Sequence, residues 1–424
     1  MARDDARHKT VIFAVLAGVL SLTLACALLE LGVAFLVYQR GDYLSELDPA
    51  FRTRLAAQDP AGYTEKPLYH CDPKVGQVQT PSNSGFWRGF SYPTAEFRHP
   101  IFINAEGFRS RREYDAVDGA RVAVLGDSFV QGLQVREEDT FLQVAERKLR
   151  AEGQAVSVLN YGECGTGTAQ QYRIFEEYVL KRRLQAVVLA VYSNDLTDDS
   201  PAYLHEQPGL VPHYSLTPSG EFILEDFQCT GRTEGLAKMP LRTVVARPAW
   251  RVLSGVTALL DRARFSLSLR YLSCLIKDRF LPKADYDPSL DVYKKVYPPA
   301  LQESLRFTVS LIERMHRRCQ QEGITFMVMM IPAPEQVQPA LWQGYLRSRS
   351  KALSAEDFDL ESPQQKLRQE LVARGIVWVD LLTAYREAGR REQLYYPKDR
   401  HFNVNGHRLA GRILAELLRP YLAH

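Results

Sequence analysis

The sequence predicts an α/β fold in which a parallel sheet is covered by helices on both faces. From residue 121 onward, short continuous apolar runs alternate with longer stretches of helical periodicity. Continuous apolar runs are typical of parallel strands buried on both faces, whereas half-exposed strands alternate apolar and polar residues. Strands that alternate with helices form a parallel sheet between two helical layers. We therefore expect a three-layer α/β/α sandwich with a sheet of about five strands.

The expected elements follow one another along the chain. Strands are predicted at 121–125, 155–159, 186–191, 325–331 and 376–379, and helices at 140–151, 169–182, 300–322 and 405–421. The first helix begins with a capping-box pattern, Thr140-x-x-Gln143, whose side chains can satisfy free backbone N–H groups. Upstream, residues 101–108 begin apolar and turn at Glu106-Gly107, which predicts a further short strand.

Composition and pattern divide the chain into five segments. The 424 residues leave room for two or three domains, or for one domain with insertions. The segments are an N-terminal tail with a transmembrane anchor (1–40), an irregular N-terminal layer rich in proline, glycine and aromatic residues (41–118), two parts of the α/β core (119–200 and 299–424) and an insertion between them (201–298). Helical residues 249–280 of the insertion are interpreted as a lid or membrane-surface helix, or as a plain packing layer. Residues 348–363 are expected to form a polar loop.

The N-terminal segment predicts a single-pass membrane anchor. Residues 10–29 carry no charge, and the apolar pattern resumes at 31–38 after Glu30. An apolar run of ~20 residues is long enough to cross a bilayer. Basic residues precede the run, and acidic residues follow it closely, so the positive-inside rule keeps the N-terminus in the cytoplasm. The rest of the chain is then expected outside the cytoplasm, in the periplasm or at the cell surface.

Net charge and cysteine spacing argue against several classes of function. A net charge of +3 is too small to indicate nucleic-acid binding, and no basic block is interleaved with aromatic residues. The spacing of the six cysteines matches no zinc or redox motif. A disulfide between Cys71 and Cys229 is possible outside the cytoplasm, but the pairing stays open.

A candidate nucleophile follows the first predicted strand. Gly126-Asp127-Ser128 comes directly after the apolar run 121–125. Ligands and reacting groups lie at the carboxyl ends of strands in open α/β sheets, and Gly126 allows a tight turn there. Ser128 is therefore a candidate nucleophile, or else a helix cap or phosphate-binding residue. A Walker A loop is excluded, because no Gly-Lys-Ser/Thr follows Gly126 at the required distance.

Three further polar clusters lie where the same site would form. Asn160 to Gly165 follows the second strand, Ser193-Asn194-Asp195 follows the third, and Asp399-Arg400-His401 precedes the last helix. Acyl transfer requires a nucleophile, a base that takes its proton, an acid that orients the base, and donors for the oxyanion. The sequence offers one candidate for each of these tasks.

Together, the four clusters resemble the sequence blocks of the SGNH (GDSL-like) hydrolases. Gly126-Asp127-Ser128 matches the first block, Gly165 matches the glycine of the second, and Ser193-Asn194-Asp195 matches the third, with serine where the family usually has glycine. The last block is commonly Asp-x-x-His. Here Asp399-x-His401 is one residue tighter, as in relatives that act on polysaccharide O-acetyl groups. The resemblance covers residues 121–195 and 325–421 and implies a flavodoxin-like sandwich.

The resemblance implies a role for each matching residue. Ser128 would be the nucleophile and His401 its general base, while Asp399 would hold His401 in the required tautomer and stabilise the imidazolium. The oxyanion hole would comprise the backbone N–H groups of Ser128 and Gly165 and the side-chain amide of Asn194. An aspartate and a histidine two residues apart can meet if the backbone turns between them.

These positions also have structural interpretations. His401 could be an ordinary loop histidine, and His407, at the start of the last helix, is interpreted as structural because buried histidines usually satisfy hydrogen bonds. Asn194 and Asp195 could form a turn. Cys164 is interpreted as a small packing residue, since no cationic partner is evident to lower the pKa of its thiol.

The sequence therefore predicts a membrane-anchored serine ester hydrolase that acts on O-acyl esters, often O-acetyl esters, of a glycan or lipid. One alternative is an O-acyltransferase that modifies an extracytoplasmic polysaccharide and uses the same residues. Another is a non-catalytic protein that binds a glycan or a partner enzyme. No metal or nucleotide cofactor is implied, and substrate, acyl length and oligomeric state stay open.

Overall fold

The computed structural model describes residues 17–18, 20–29, 66, 68–89, 96–200, 202–203, 212, 214–217, 219, 221–225, 288–349 and 355–422. The chain forms two compact units, one of residues 1–58, 90–95 and 240–283 and one of residues 59–89, 96–239 and 284–424. Of the first unit, only helical residues between 17 and 29 are described. The predicted helix at 249–280 lies outside the described residues.

The predicted anchor at 10–29 lies partly within the described residues. Residues 20–29 are helical, and five leucines of this stretch are 59–71% exposed. Across the described part of the chain, no helix combines the length and apolar character needed to cross a membrane.

The second unit is built on a five-stranded parallel sheet. The described strands of this unit include those of the large sheet and those of three small hairpins. In chain order they are β1 (Tyr69–Asp72), β2 (Gly76–Gln79), β3 (Asn83–Arg88), β4 (Arg98–Ile103), β5 (Ala120–Gly126), β6 (Val156–Gly162), β7 (Ala186–Val191), β8 (Tyr214–Leu216), β9 (Phe222–Leu224), β10 (Thr325–Met330) and β11 (Val377–Asp380). The large sheet has the order β11-β10-β7-β5-β6, and all of its pairings are parallel. The α/β prediction with about five parallel strands is confirmed.

Helices alternate with the strands of this sheet along the chain. They are α1 (Ser128–Gln131), α2 (Phe141–Ala151), α3 (Thr168–Ile174), α4 (Asp195–Asp198), α5 (Pro299–Gln321), α6 (Pro334–Val337), α7 (Pro339–Arg349), α8 (Ser362–Ala373), α9 (Leu382–Ala388) and α10 (Val404–Leu422). The side chain of Thr140 caps α2 by accepting a hydrogen bond of 3.4 Å from the backbone N–H of Gln143. The helix predicted at 169–182 is shorter, because α3 ends in a π turn at Phe175–Val179.

The strands bury side chains on both faces of the sheet. Along β5, Val122 and Val124 join one apolar cluster, which also contains side chains of α2 and α10. Ala123 and Leu125 point to the opposite cluster, which contains side chains of α3, α5 and α8. Burial on both faces explains the continuous apolar runs and establishes the three layers.

The N-terminal layer is more regular than its composition indicates. Strands β1 and β2 pair antiparallel, as do β3 and β4, so the residues expected to be irregular contain two hairpins. A further hairpin, β8–β9, lies within the predicted insertion. These strands are three to six residues long, too short to show a clear period in the sequence.

Strand order determines where a site can form. Strand β5 lies between β6 and β7, so the chain leaves β5 toward one side of the sheet and later returns to its other side. In open α/β sheets, ligands bind at the carboxyl ends of the strands where this reversal occurs. The loops after β5, β6 and β7 therefore meet at one edge of the sheet.

Candidate active site

Ser128 is the first residue of α1, the one-turn helix that follows β5 directly. Asp127 caps this helix, because its Oδ1 accepts a hydrogen bond of 2.9 Å from the backbone N–H of Phe129. Gly126 permits the tight turn, since a Cβ at this position would lie 2.4 Å from Cγ2 of Val130. The backbone thus places the Ser128 hydroxyl at the carboxyl end of β5.

Ser128, His401 and Asp399 form a continuous chain of hydrogen bonds. Ser128 Oγ lies 2.8 Å from His401 Nε2, and His401 Nδ1 lies 2.7 Å from Asp399 Oδ1. A carboxylate at Nδ1 favours the tautomer that carries its proton there, which leaves Nε2 free to accept the serine proton. The structure therefore brings together a hydroxyl, an imidazole and a carboxylate in the order that general-base catalysis requires.

The environment of His401 favours its protonated form. Burial by itself lowers the pKa of His401, but the hydrogen bond and charge of Asp399, with the charge of Asp127, outweigh it and raise the pKa above 6.5. Aromatic rings hold the imidazole in place, since the ring centroid of Phe129 lies 4.8 Å from that of His401. An imidazolium that forms during proton transfer is stabilised by the same carboxylates.

A carboxylate of the N-terminal layer fixes the loop that carries this acid and base. Glu96 Oε1 accepts a hydrogen bond of 3.0 Å from the backbone N–H of Lys398, and its Oε2 accepts one of 2.8 Å from that of Asp399. The backbone N–H of Tyr396 donates to the carbonyl of His401 at 2.9 Å, which closes the loop. Sequence reasoning missed Glu96, because a carboxylate that binds backbone amides 300 residues away leaves no local pattern.

The expected oxyanion donors follow the two strands that flank β5. Gly165 lies in the loop after β6 with φ of +72°, a left-handed conformation that favours glycine. Asn194 lies after β7 at the start of α4, and its Nδ2 donates a hydrogen bond of 2.8 Å to Oδ2 of Asp198. The same side chain also hydrogen-bonds Asp127, so the Asn194 amide lies between two buried carboxyl groups.

Buried carboxylates surround the loop after β7. Asp195 accepts hydrogen bonds from Gln171 Nε2 at 2.7 Å and from the backbone N–H of Tyr192 at 2.8 Å, so it closes the turn. Burial raises the pKa of Asp127 to about 6 and that of Asp198 to about 7. These groups therefore titrate close to neutral pH, beside the candidate nucleophile and oxyanion donor.

His407 and Cys164 lie outside the hydrogen-bonded series of Ser128, His401 and Asp399. His407 is buried, and its Nδ1 accepts a hydrogen bond of 3.2 Å from the backbone N–H of Phe141. Burial, together with the charge of Arg109, lowers the pKa of His407 to about 3, so this histidine stays neutral. Cys164 is exposed and its thiol is free, so the interpretation of Cys164 as a packing residue is wrong. Local desolvation of the thiol, followed by the charge of Glu163, raises its pKa to about 12.

A buried arginine, Arg109, supports the end of α1 opposite Ser128. It is only 1% exposed and donates to the carbonyls of Gln131 at 3.1 Å, Gly132, and Val135 at 2.6 Å. The last carbonyls of a helix have no partner within it, so the guanidinium satisfies this end of α1. No sequence pattern marks Arg109, because its partners are backbone atoms.

The described residues contain no group of three or more histidine, cysteine, aspartate or glutamate side chains arranged to hold a metal ion.

Part of the chain matches a known protein family. Residues 293–423 match a family described as the SGNH hydrolase-like domain of acetyltransferase AlgX. This part of the chain is similar to an SGNH hydrolase. It includes Asp399 and His401, whereas Ser128 precedes it. The predicted resemblance is confirmed, and the match supports the prediction of an ester hydrolase or O-acyltransferase.

Several solved structures are similar to the chain at low identity. A lipase/acylhydrolase from Enterococcus faecalis is 12% identical, covers 72% of this chain and 97% of its own, and has a TM-score of 0.37. A catalytic mutant of Axe2, an acetylxylan esterase from Geobacillus stearothermophilus, is 11% identical, covers 73% and 96%, and has a TM-score of 0.35. Such values do not by themselves indicate a shared activity. No curated protein sequence matches the chain.

Proposed function

We propose that the chain is a serine ester hydrolase of SGNH type that cleaves O-acyl esters, in particular O-acetyl esters of a glycan. The hydrogen-bonded series Ser128–His401–Asp399 carries this proposal. The similarity of residues 293–423 to the domain of an acetyltransferase supports an acetyl group as the acyl group. Lipid esters are the alternative substrate class.

The proposed reaction has two steps. His401 Nε2 takes the proton of Ser128 as Oγ attacks the ester carbonyl, and Asp399 stabilises the resulting imidazolium. The backbone N–H groups of Ser128 and Gly165 and the amide of Asn194 would donate to the oxyanion. The imidazolium then gives its proton to the leaving alkoxide, which departs as an alcohol and leaves an acyl-enzyme. Water, deprotonated by His401, attacks the acyl-enzyme and releases the carboxylic acid.

A second candidate function is transfer of the acyl group to a sugar hydroxyl. The sugar hydroxyl would replace water in the second step, with the same proton transfers through His401. The match to the domain of acetyltransferase AlgX favours this candidate, since it includes Asp399 and His401. Hydrolysis and transfer would differ only in which nucleophile reaches the acyl-enzyme.

We further propose that residues 10–29 attach the chain to a membrane and that the catalytic unit lies outside the cytoplasm. The uncharged sequence and the exposed leucines of 20–29 support attachment. Cys71 is disulfide-bonded, which suits an oxidising compartment. A reporter fused after residue 424 would be active only in the compartment that holds the C-terminus. Activity of a cytoplasm-specific reporter would contradict this placement.

The decisive experiment is covalent labelling of Ser128 by a fluorophosphonate. We expect one labelled serine in the native chain and none in Ser128→Ala, whereas Ser310→Ala, which alters a serine of α5 outside the site, keeps the label. Absence of labelling in the native chain would favour a non-catalytic binding protein. Release of acetate from p-nitrophenyl acetate, with and without glycan acceptors, then distinguishes hydrolysis from transfer.

A further inference from the structure

A buried acid, Glu163, begins the loop after β6 that also carries Gly165, and its carboxyl group contacts β2 and α1. Its Oε2 accepts hydrogen bonds from the backbone N–H of Gln79 at 3.1 Å and from Gln79 Nε2 at 3.2 Å. Its Oε1 accepts one of 3.3 Å from Nε2 of Gln131. Gln79 ends β2, whereas Gln131 ends α1, three residues after Ser128.

The backbone of Glu163 is tied to the same region. Its N–H donates a hydrogen bond of 3.0 Å to the carbonyl of Gly126, and its carbonyl accepts one of 2.8 Å from the Thr166 hydroxyl. The end of β6 also packs tightly on α1, because a Cβ at Gly162 would lie 2.3 Å from the backbone nitrogen of Gln131. Glu163 is therefore bonded on both sides of the nucleophile, to the end of β5 through its backbone and to α1 through its carboxyl group.

We propose that Glu163 is a positioning residue that holds the loop of Gly165 against α1, so that the Gly165 N–H and Ser128 Oγ keep a fixed separation. This role rests on the proposed esterase function, in which both groups act on one ester carbonyl. An oxyanion donor is effective only where it meets the developing charge, and a displacement of about 1 Å can lower a rate about 100-fold. Glu163 touches no reacting atom and acts through Gln131 and its own loop.

The charge of Glu163 changes under conditions where the groups around it stay neutral. Burial raises the pKa of Glu163 to about 8. Two titratable groups face it: the pKa of Tyr69 on β1 is raised well above 10, and that of Cys164 is raised to about 12. Gln79 and Gln131 are uncharged at every pH. Below pH 8 the acid is neutral, and above pH 8 it becomes a buried carboxylate with amide donors as its hydrogen-bond partners.

The test uses substitutions at both ends of the Glu163–Gln131 hydrogen bond. Glu163→Leu and Gln131→Leu each remove it, and Glu163→Gln keeps a polar group of the same shape that cannot ionise. Rates of fluorophosphonate reaction and of p-nitrophenyl acetate hydrolysis are measured from pH 6 to 10. A matched control is Glu146→Gln. Glu146 is another buried acid, and its side chain forms an ion pair of 2.8 Å with Arg112 rather than a contact with the site.

We expect Glu163→Leu to lower kcat about 10- to 100-fold with KM within about twofold of the native value. The double variant with Gln131→Leu should lose no more than the more damaging single variant, since the hydrogen bond between Glu163 and Gln131 is already absent from each single variant. A negative charge at Glu163, beside the loop of Gly165, opposes the charge that develops on the oxyanion, so the native rate should fall above pH 8. Glu163→Gln should lack this fall, and Glu146→Gln should keep the native profile.

Other outcomes separate this role from the proposed function. A native chain that reacts with neither probe overturns the esterase proposal and this role together. A reactive native chain with unchanged kcat in Glu163→Leu, with fully additive losses in the double variant, or with the same pH profile in Glu163→Gln overturns this role alone. Should Glu163→Leu fail to fold, Gln131→Leu decides the outcome from the other side of the bond.

Discussion

Asp399 and His401 are separated by one residue, yet Oδ1 of the aspartate lies 2.7 Å from Nδ1 of the histidine. The residue between them, Arg400, has φ of +71°, so the backbone reverses within a single residue and brings both side chains to the same side. Arg400 also forms an ion pair with Glu335. The tight Asp-x-His spacing is therefore achieved by an unusual backbone conformation of the intervening residue.

Asp399→Asn should lower kcat while the chain remains folded. An amide at this position favours the wrong tautomer of His401 and cannot stabilise the imidazolium, and the comparable change in a serine triad lowers kcat by ~10⁴-fold. The measurement is p-nitrophenyl acetate hydrolysis together with thermal unfolding. Asp118→Asn, at an exposed carboxylate paired with Arg150, is the control and should keep full activity. Equal activity of Asp399→Asn and the native chain would exclude Asp399 from the mechanism.

The left-handed conformation of Arg400 predicts which substitutions the loop tolerates. Arg400→Gly should retain most of the activity, because glycine adopts positive φ without steric cost. Arg400→Val should lose stability by roughly 1–2 kcal/mol and lower activity, since a β-branched residue is strained at this φ. Urea unfolding and esterase assays of both variants provide the comparison. Higher activity in the valine variant than in the glycine variant would contradict this account.

The residues predicted from the sequence share a local signal. Ser128, Gly165 and Asn194 each follow a buried strand whose continuous apolar run is visible in the sequence, and the strand–loop–helix pattern places them at one sheet edge. A turn between Asp399 and His401 could be predicted only because their side chains must meet. An arginine does not by itself indicate the positive φ that Arg400 adopts.

The supporting residues could not be predicted, for a different reason. Glu96 and Arg109 bind backbone amides and carbonyls, which every residue possesses, so no side-chain partner marks them in the sequence. Glu163 binds two glutamines from distant segments. Their roles become visible only when the N-terminal layer is placed beside the site loops.

The raised pKa of His401 predicts an acid limb in the activity profile. A general base must be neutral to accept the serine proton, so the rate should rise with pH through the pKa of His401, which lies above 6.5. The measurement is kcat/KM from pH 5 to 8. Because Asp399 raises this pKa, residual activity of Asp399→Asn should begin its rise at lower pH. A limb that shifts to higher pH in this variant would contradict the assignment.

Glu96→Ala should lower kcat about tenfold without a large change in KM. Two backbone N–H groups, of Lys398 and Asp399, lose their acceptor, and the loop that holds the acid and base becomes less fixed. Glu96→Gln keeps an acceptor oxygen and should lie between the alanine variant and the native chain. Kinetic assays at saturating substrate test the order. A kcat of Glu96→Ala equal to the native value would show that other contacts suffice.

Arg109→Met should destabilise the second unit and weaken catalysis at the same time. The substitution preserves much of the side-chain volume but leaves the carbonyls of Gln131, Gly132 and Val135 buried without this donor. A buried acceptor that loses its partner costs ~1–3 kcal/mol, so we expect a loss of several kcal/mol in the free energy of unfolding. Arg109→Lys keeps the positive charge, but an ammonium group lacks the planar guanidinium fork that donates to three carbonyls at once. This variant should therefore recover only part of the lost free energy of unfolding.

Urea unfolding and fluorophosphonate labelling together show whether Arg109 acts on the nucleophile or only on the fold. Arg111→Met is the control, because Arg111 is half exposed and stacks on the ring of Phe102 rather than on α1. If Arg109 positions α1, folded Arg109→Lys protein should label more slowly than folded Arg111→Met protein. Equal labelling rates would assign Arg109 to stability alone, since the end of α1 that it binds would then have no influence on the hydroxyl at the other end.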